Sequence, residues 1–277
     1  MLTVMAQAKL NLTLEVLGKR DNGYHEIRSV AQTLRLNDNL KFSVGQGIEI
    51  KCNLLGWNAY ESLVYKSVAL LRKKPEKGAL IEIDKRIPMI AGLGGDSSDA
   101  AAALRGLNML WGLELSLRDL SALCAELGSD VPLFIHGGTI LLEGRGEKVT
   151  ALPPMPHMFA VILVPPLPKP EKKTERLYSL LNKADYTTGH ITDEFVSWLN
   201  KPNEVLPALY NAFDYLAIDF FEGLKDYRQK LLECGAAEVH LCGSGPALFT
   251  LTKDSDHADK ICCNLQEKGI EHYLTEF

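Results

Sequence analysis

Between Pro88 and Ala103 the chain reads P-M-I-A-G-L-G-G-D-S-S-D-A-A-A-A, with Gly92, Gly94, Gly95, Ser97 and Ser98 inside seven residues. Such glycines let the backbone turn its N–H groups toward one point and admit a bulky anion with no Cβ in the way. The alanine-rich run that follows predicts a helix beginning near Ser98–Asp99, its unsatisfied N–H groups and positive dipole end facing that same point. Polyphosphate is the ligand such a device suits. A plain Gly-rich turn capped by Ser or Asp is the commoner meaning of a short glycine cluster. The length of this one, its paired hydroxyls and its immediate helix favour phosphate. No G-x-x-x-x-G-K-[ST] occurs in the chain, and Gly92, Gly94 and Gly95 lack the G-x-G-x-x-G spacing, so neither of the commonest phosphate loops is present.

Other segments carry residue types fit for chemistry. In Gly128-Ser129-Asp130-Val131-Pro132 an acid follows the end of a helix and is held by an extended Val131–Pro132. Taken alone it is an ordinary exposed loop acid. In A-K-L-N-L-T-L, strand alternation puts Lys9, Asn11 and Thr13 on one face and Leu10, Leu12 and Leu14 on the other. A lone strand lysine there would ordinarily snorkel to water. Gly23-Tyr24-His25 sets an aromatic face beside an imidazole, which by itself is a surface turn. Leu241-Cys242-Gly243-Ser244-Gly245-Pro246 is a second glycine loop near the C-terminus.

In this order the segments resemble the three motifs of the GHMP kinases, the superfamily of galactokinase, homoserine kinase, mevalonate kinase and phosphomevalonate kinase. Ala8-Lys9-Leu10-Asn11-Leu12 resembles the first motif, Pro88–Ala103 the second and Leu241–Pro246 the third, so the likeness runs from residue 8 to residue 246. The resemblance implies an α+β, two-domain fold: an N-terminal domain like domain 2 of ribosomal protein S5 and a ferredoxin-like C-terminal domain, with the active site in the cleft between. It implies ATP and Mg²⁺ as cofactors. ATP is expected on Pro88, Met89, Ile90, Ala91, Gly92, Leu93, Gly94, Gly95, Asp96, Ser97 and Ser98. Ser98, with or without Ser97, can offer a hydroxyl to a β-phosphate or to Mg²⁺. Asp130 inherits the place of the catalytic aspartate and Lys9 that of its partner, whose charge would keep Asp130 ionised and assist loss of the acceptor proton. Whether the pair abstracts the proton or mainly orients the hydroxyl stays open at this point.

The run L-G-K-R-D-N-G-Y-H-E-I is closest to the branch of that family whose acceptor is 4-diphosphocytidyl-2-C-methyl-D-erythritol, on the non-mevalonate route to isoprenoids. Tyr24 then stacks on the cytosine and His25 reads its edge, consistent with an aromatic platform beside a polar reader. K-K-T-E-R-L-Y resembles the T-x-x-x-aromatic segment, making Tyr178 the second face of the clamp, while Asn11 helps hold the substrate. The chain departs from the family pattern at several places. Ile90 stands where Gly or Ala is usual, Asp96 brings a negative charge near phosphates, and Ser62 replaces an asparagine that touches adenine. Cys242 replaces Ser or Thr, and Pro165–Lys173 is longer and richer in proline. Two other readings compete. A kinase for mevalonate, phosphomevalonate or homoserine would leave G-Y-H idle, and an RNA-binding module would not need Lys9 and Asp130.

These residues need a frame. The chain has 277 residues, long enough for two modest domains, with 46% hydrophobic and 23% charged residues. A net charge of −5 argues against broad nucleic-acid or anionic-membrane binding. No apolar run approaches the roughly 20 residues of a membrane span, and the N-terminus lacks a signal-peptide pattern. A cytoplasmic enzyme acting on a small molecule is the expectation. The six cysteines (52, 124, 234, 242, 262 and 263) show no C-x-x-C and read as reduced thiols.

Alternation predicts strands over 8–16 and 27–36, and Leu40–Val44 with Gly47–Cys52 reads as a hairpin around Gly45-Gln46. Helices are expected over Ser62–Lys73, over Leu117–Leu127 behind a capping-box start at Ser116, and near Lys173–Asn182, Asp193–Asn200, Phe220–Cys234 and Ser255–Lys268. The Gly- and Pro-rich 144–170 stretch, holding one apolar strand over Met158–Val164, is the expected junction, giving domains 1–155 and 156–277. No unusually apolar helix face marks an oligomer interface.

Overall fold

A computed structural model describes residues 1–72, 77–201 and 205–277. In chain order its elements are β1 (Leu2–Asn11), β2 (Thr13–Lys19), β3 (His25–Gly45), β4 (Ile48–Cys52), α1 (Leu63–Leu71), β5 (Gly78–Asp84), α2 (Gly95–Trp111), α3 (Leu117–Leu127) and α4 (Leu133–His136). There follow β6 (Thr139–Gly144), β7 (Lys148–Ala151), β8 (Phe159–Leu163), α5 (Lys173–Leu180), α6 (His190–Asn200) and β9 (Tyr210–Asn211). The chain closes with α7 (Leu216–Phe220), α8 (Leu224–Glu233), β10 (His240–Leu241), β11 (Leu248–Thr252), α9 (Ser255–Glu267) and β12 (His272–Glu276). Two compact units gather these elements. The first takes Met1–Ala8, Leu36–Met89 and Gly94–Gly137; the second takes Lys9–Arg35, Ile90–Leu93 and Gly138–Phe277.

In the first unit the expected hairpin around Gly45-Gln46 does not form. The end of β3 pairs antiparallel with β5, and β4 pairs parallel with β5, so β5 lies between the two arms. Its alternating face supplies the reason: Ala79, Ile81 and Ile83 are buried, and inserting β5 covers them. Gly78 permits the crossing, since a Cβ there would lie 2.1 Å from the Gly45 carbonyl oxygen. Helix α2 is buried over its Ala100–Ala103 run, where small side chains let α1 come close. The Ser67 hydroxyl of α1 lies 3.2 Å from the Ala100 carbonyl it donates to. Helix α1 runs Leu63–Leu71 behind a Ser62 cap, and Lys73, the expected end, lies outside the described residues. Helix α3 carries the full capping box between Ser116 and Asp119.

In the second unit the first half of β3 pairs antiparallel with β2, across a bulge between Val16 and Gly18, and with β6, which pairs with β7. Strand β2 pairs parallel with β9. A separate antiparallel sheet runs β10-β11-β8-β12, the ferredoxin-like architecture with α9 packed on it. Strand β8 is apolar throughout because it is central and buried between β11 and β12. The helix expected over Phe220–Cys234 is broken into α7 and α8, because Gly223 adopts φ +87° between them.

Gly106 shows how tightly α2 sits on β3: a Cβ there would meet the ring of buried Phe42 at 2.4 Å. A helix-interior Gly→Ala change ordinarily stabilises by about 1 kcal/mol. Here the collision reverses the sign, because overpacking costs about 1–3 kcal/mol and Phe42 has nowhere to go. Gly106→Ala is expected to lower the denaturant midpoint at unchanged m value, read by urea unfolding.

Candidate active site

Three of the sequence segments meet in the second unit, and they meet through backbone. The Lys9 N–H donates to the Leu93 carbonyl (2.9 Å), and the Ala247 N–H donates to the Ala91 carbonyl (3.2 Å). Gly92, at φ +93°, lies so close to the later glycine loop that a Cβ would fall 1.8 Å from the Cys242 carbonyl oxygen. Only glycine fits there. The later loop is itself folded back by a Gly245 N–H bond to the Cys242 carbonyl (2.8 Å).

Lys9 does not snorkel. It is only 4% exposed, and its Nζ donates to Asn11 Oδ1 at 2.6 Å. Asn11 Nδ2 passes the chain on to Ser29 Oγ at 2.9 Å, and Ser29 Oγ donates to the Thr13 carbonyl. Both faces of this strand are therefore buried, the leucines in core and the polar face in a hydrogen-bond ladder. At Gly243 a Cβ would lie 3.0 Å from Lys9 Nζ and 3.4 Å from Asn11 Oδ1, which puts the later glycine loop directly on this pair. Cys242 is fully buried, and burial drives its thiol far above the ordinary range, so it is an inert space filler.

The first glycine loop divides between the units, with Ile90–Leu93 in the second and Gly94 onward in the first. Helix α2 starts at Gly95, three residues before the expected Ser98. Gly94 caps it in a left-handed conformation (φ +75°) with no side-chain bond, which is why no capping side chain announces it. The first-turn N–H groups without an intrahelical acceptor are thus those of Gly95, Asp96 and Ser97. Ser98 is 1% exposed, and its Oγ makes no hydrogen bond among the described residues, whereas Ser97 is half-buried. Ile90 adopts φ +56°, a conformation that strains a β-branched residue and that glycine adopts freely. Asp96 faces outward, its side chain 56% exposed and 3.6 Å from Lys85 Nζ.

Behind α2 lies a cluster that the sequence reading missed. Lys85 Nζ sits 2.8 Å from Asp38 Oδ2 and 2.8 Å from Asp99 Oδ2, all three buried. Burial works to lower the Lys85 ammonium, but Asp99 and Asp38 outweigh it and hold it above the ordinary lysine value. Burial raises the Asp99 carboxyl against the pull of Lys85. Asp38 also accepts from the Ile87 N–H at 2.8 Å, so the cluster ties the strand before the glycine loop to the helix after it. Ser62, where an adenine contact was in question, spends its hydroxyl on structure. It donates to the Ala59 carbonyl (2.6 Å) and accepts from the Tyr65 N–H (3.1 Å) as the cap of α1. Asp130 lies half-buried in the first unit, in the turn between α3 and α4, anchored by fully buried Val131 and Leu133.

Aromatic residues gather in the second unit. The His25 ring lies 5.0 Å from Tyr178 and 6.2 Å from Tyr186, and Tyr178 packs edge-on to Phe213 at 4.8 Å. Tyr24 stays 52% exposed, with the Arg145 guanidinium 5.1 Å from its ring centroid. Burial and then the Lys19 charge lower the His25 imidazole below its ordinary 6.5, so it is neutral at neutral pH, with one donor and one acceptor nitrogen. Sequence reading found His25 and Tyr178 but not Tyr186 or Arg145, which no motif marks.

Comparison with known proteins follows this geometry. Residues 62–138 match the GHMP kinases N terminal domain and residues 203–271 the GHMP kinases C terminal domain. A 4-diphosphocytidyl-2-C-methyl-D-erythritol kinase of Dehalococcoides mccartyi is 47% identical over 276 residues, covering 99% of this chain and 97% of the relative. A crystal structure of 4-(cytidine 5'-diphospho)-2C-methyl-D-erythritol kinase superposes with TM-score 0.84 at 30% identity, over 99% of this chain and 98% of that one. Homoserine kinase from Cytophaga hutchinsonii gives 0.73 at 18% identity, over 99% and 93%, a likeness of fold alone. No helix among the described residues is long and apolar enough to cross a membrane.

Left-handed backbone costs a side-chain-bearing residue about 1–2 kcal/mol. Replacing half-exposed Ile90 by glycine is therefore expected to raise stability by up to about 1 kcal/mol, net of glycine's extra chain entropy. Thermal unfolding of Ile90→Gly beside wild type reads it; a lower melting temperature would show the position to be unstrained.

Proposed function

Because the chain belongs to the GHMP kinase family, we propose that it transfers the γ-phosphoryl group of ATP to the 2-hydroxyl of 4-diphosphocytidyl-2-C-methyl-D-erythritol, a step of the non-mevalonate route to isoprenoids. The observation that carries the choice of acceptor is the His25–Tyr178 pair beside exposed Tyr24. Mevalonate, phosphomevalonate and homoserine offer no base to stack, and an aromatic platform with a neutral imidazole would be idle for them. We read residues 1–155 as the domain with the ATP loop and catalytic residues and 156–277 as the C-terminal domain because the two family matches fall on either side of that division, while the two compact units cut across it.

ATP lies along Pro88–Ser98, its phosphates received by the N–H groups that open α2. Lys9 and Asp130 each act on the acceptor hydroxyl, the carboxylate accepting its hydrogen bond and the ammonium offering positive charge to the reacting oxygen. Asn11 holds Lys9 in place through the 2.6 Å bond and turns the pair toward substrate. Tyr24 and Tyr178 receive the cytosine faces, and His25 hydrogen-bonds its edge. The buried, unpartnered Ser98 hydroxyl suits a phosphate oxygen or a hard cation, and we assign Mg²⁺ to it. When bound, Mg²⁺ supplies neutralisation of the β- and γ-phosphate charge.

The direct test is ATP turnover with this acceptor by wild type and Asp130→Ala. Wild type is expected to turn over and the variant to lose at least about a hundredfold, the scale of a general base. An Asp130→Ala enzyme within tenfold of wild type would remove Asp130 from the chemistry.

The His25 shift gives a second test. Its folded-state value lies below its unfolded 6.5, so the neutral form persists above 6.5 and is lost only as pH falls through the lowered value. Acceptor affinity is expected to stay flat from pH 8 to about 6.5 and to weaken below. Calorimetric titration without ATP reads this, and His25→Gln should abolish the dependence; a dependence that survives the substitution assigns it elsewhere.

A further inference from the structure

We infer that Lys173 is a phosphate-binding residue of this site, a second ammonium beside Lys9 on the later glycine loop. The inference rests on the acceptor reading above. Nothing in K-P-E-K-K-T-E-R-L-Y distinguishes Lys173 from its charged neighbours, yet it is 8% exposed where Lys172 and Glu171 are open to solvent. Its Nζ donates to Ser244 Oγ at 2.8 Å and to the Ser244 carbonyl at 3.4 Å. Ser244 follows Gly243, the residue lying against Lys9 Nζ and Asn11 Oδ1. The two ammonium groups therefore flank consecutive residues of one loop. Cys242, the next residue back, senses both: burial raises its thiol, and the Lys9 and Lys173 charges each work in the opposite direction.

A structural strap is the competing role, and it is already filled. Thr174 Oγ1 lies 2.8 Å from Ser244 Oγ, a hydroxyl pair that ties α5 to the loop without a charge. The Lys173 ammonium adds to that tie a positive charge that the hydroxyl pair does not supply, and positive charge with fixed donors is what a phosphate recognises. Space for one exists. A cleft of about 510 Å³ opens at this end of α5, lined by Lys169–Glu175 and by Ile90 of the first glycine loop. Glu171 and Glu175 share its rim, and Glu175 Oε2 sits 3.7 Å from Lys172 Nζ.

The helix also sets a distance. Tyr178, which faces His25, stands five residues beyond Lys173, about 7.5 Å along α5 at 1.5 Å per residue. A diphosphate between a base at Tyr178 and a sugar alcohol near Lys9 has a matching span. The γ-phosphoryl of ATP is the other phosphate that reaches this loop, and kinetics separate the two.

Lys173→Met, Lys173→Gln and Lys173→Arg should be assayed with ATP and 4-diphosphocytidyl-2-C-methyl-D-erythritol, with melting temperature as the control for folding. Loss of a charge-assisted hydrogen bond predicts about a tenfold or larger effect in both neutral variants, with recovery by arginine. A rise confined to the acceptor KM assigns Lys173 to the diphosphate; a rise in the ATP KM or a fall in kcat assigns it to the γ-phosphoryl. Neutral variants that keep all three parameters within twofold, or that both fail to fold, make Lys173 a strap and overturn the inference. A wild type inert toward this acceptor sinks the acceptor reading, and the diphosphate assignment with it. An active wild type beside an unchanged Lys173→Met sinks the Lys173 inference alone.

Discussion

Two stretches of backbone, 150 residues apart in sequence, touch at Gly92 and Cys242, and no side chain fits between them. The candidate site of the second unit depends on that contact. It brings Ala91 and Leu93 within hydrogen-bond reach of Ala247 and Lys9, and it seats Gly243 on the Lys9–Asn11 pair. Glycine at both loops is thus a steric requirement, imposed by how closely the two turns approach each other.

Each unit arranges its own buried charge. Lys9 donates to the neutral amide of Asn11, which continues into a ladder of hydroxyls. The buried carboxylates Asp38 and Asp99 lie behind α2, where Lys85 compensates them and fixes the strand and helix that flank the first glycine loop. Breaking such a buried pair by removing one partner ordinarily costs about 3–5 kcal/mol, so the cluster serves positioning as well as stability. Asp96 turns toward water near Lys85, which limits the repulsion its charge would exert on phosphate.

Much of this was legible in the sequence, and the exceptions have physical reasons. The glycines of this loop announce a closely turned backbone, and Gly92 is where the two loops touch. The helix start at Gly95 was hidden because a left-handed glycine caps it without any side chain. The false hairpin at Gly45-Gln46 followed from local turn chemistry; what decided the pairing was burial of β5, a non-local demand. Ser62 reads as a departure from a ligand contact, and only the structure reveals its hydroxyl as a helix cap. Lys173 and Tyr186 escaped because neither belongs to a motif, and a lysine inside a charged run is indistinguishable from solvated surface until its burial is known.

If the Gly92–Cys242 backbone contact assembles the kinase site, turnover by Gly92→Ala measures it most directly. The added methyl must displace one loop from the other, and a misplacement of about 1 Å can cost a hundredfold in rate. At least that loss in kcat/KM is expected for ATP and the cytidylyl acceptor, with far-UV circular dichroism unchanged. A Gly92→Ala enzyme that folds and turns over like wild type would contradict it.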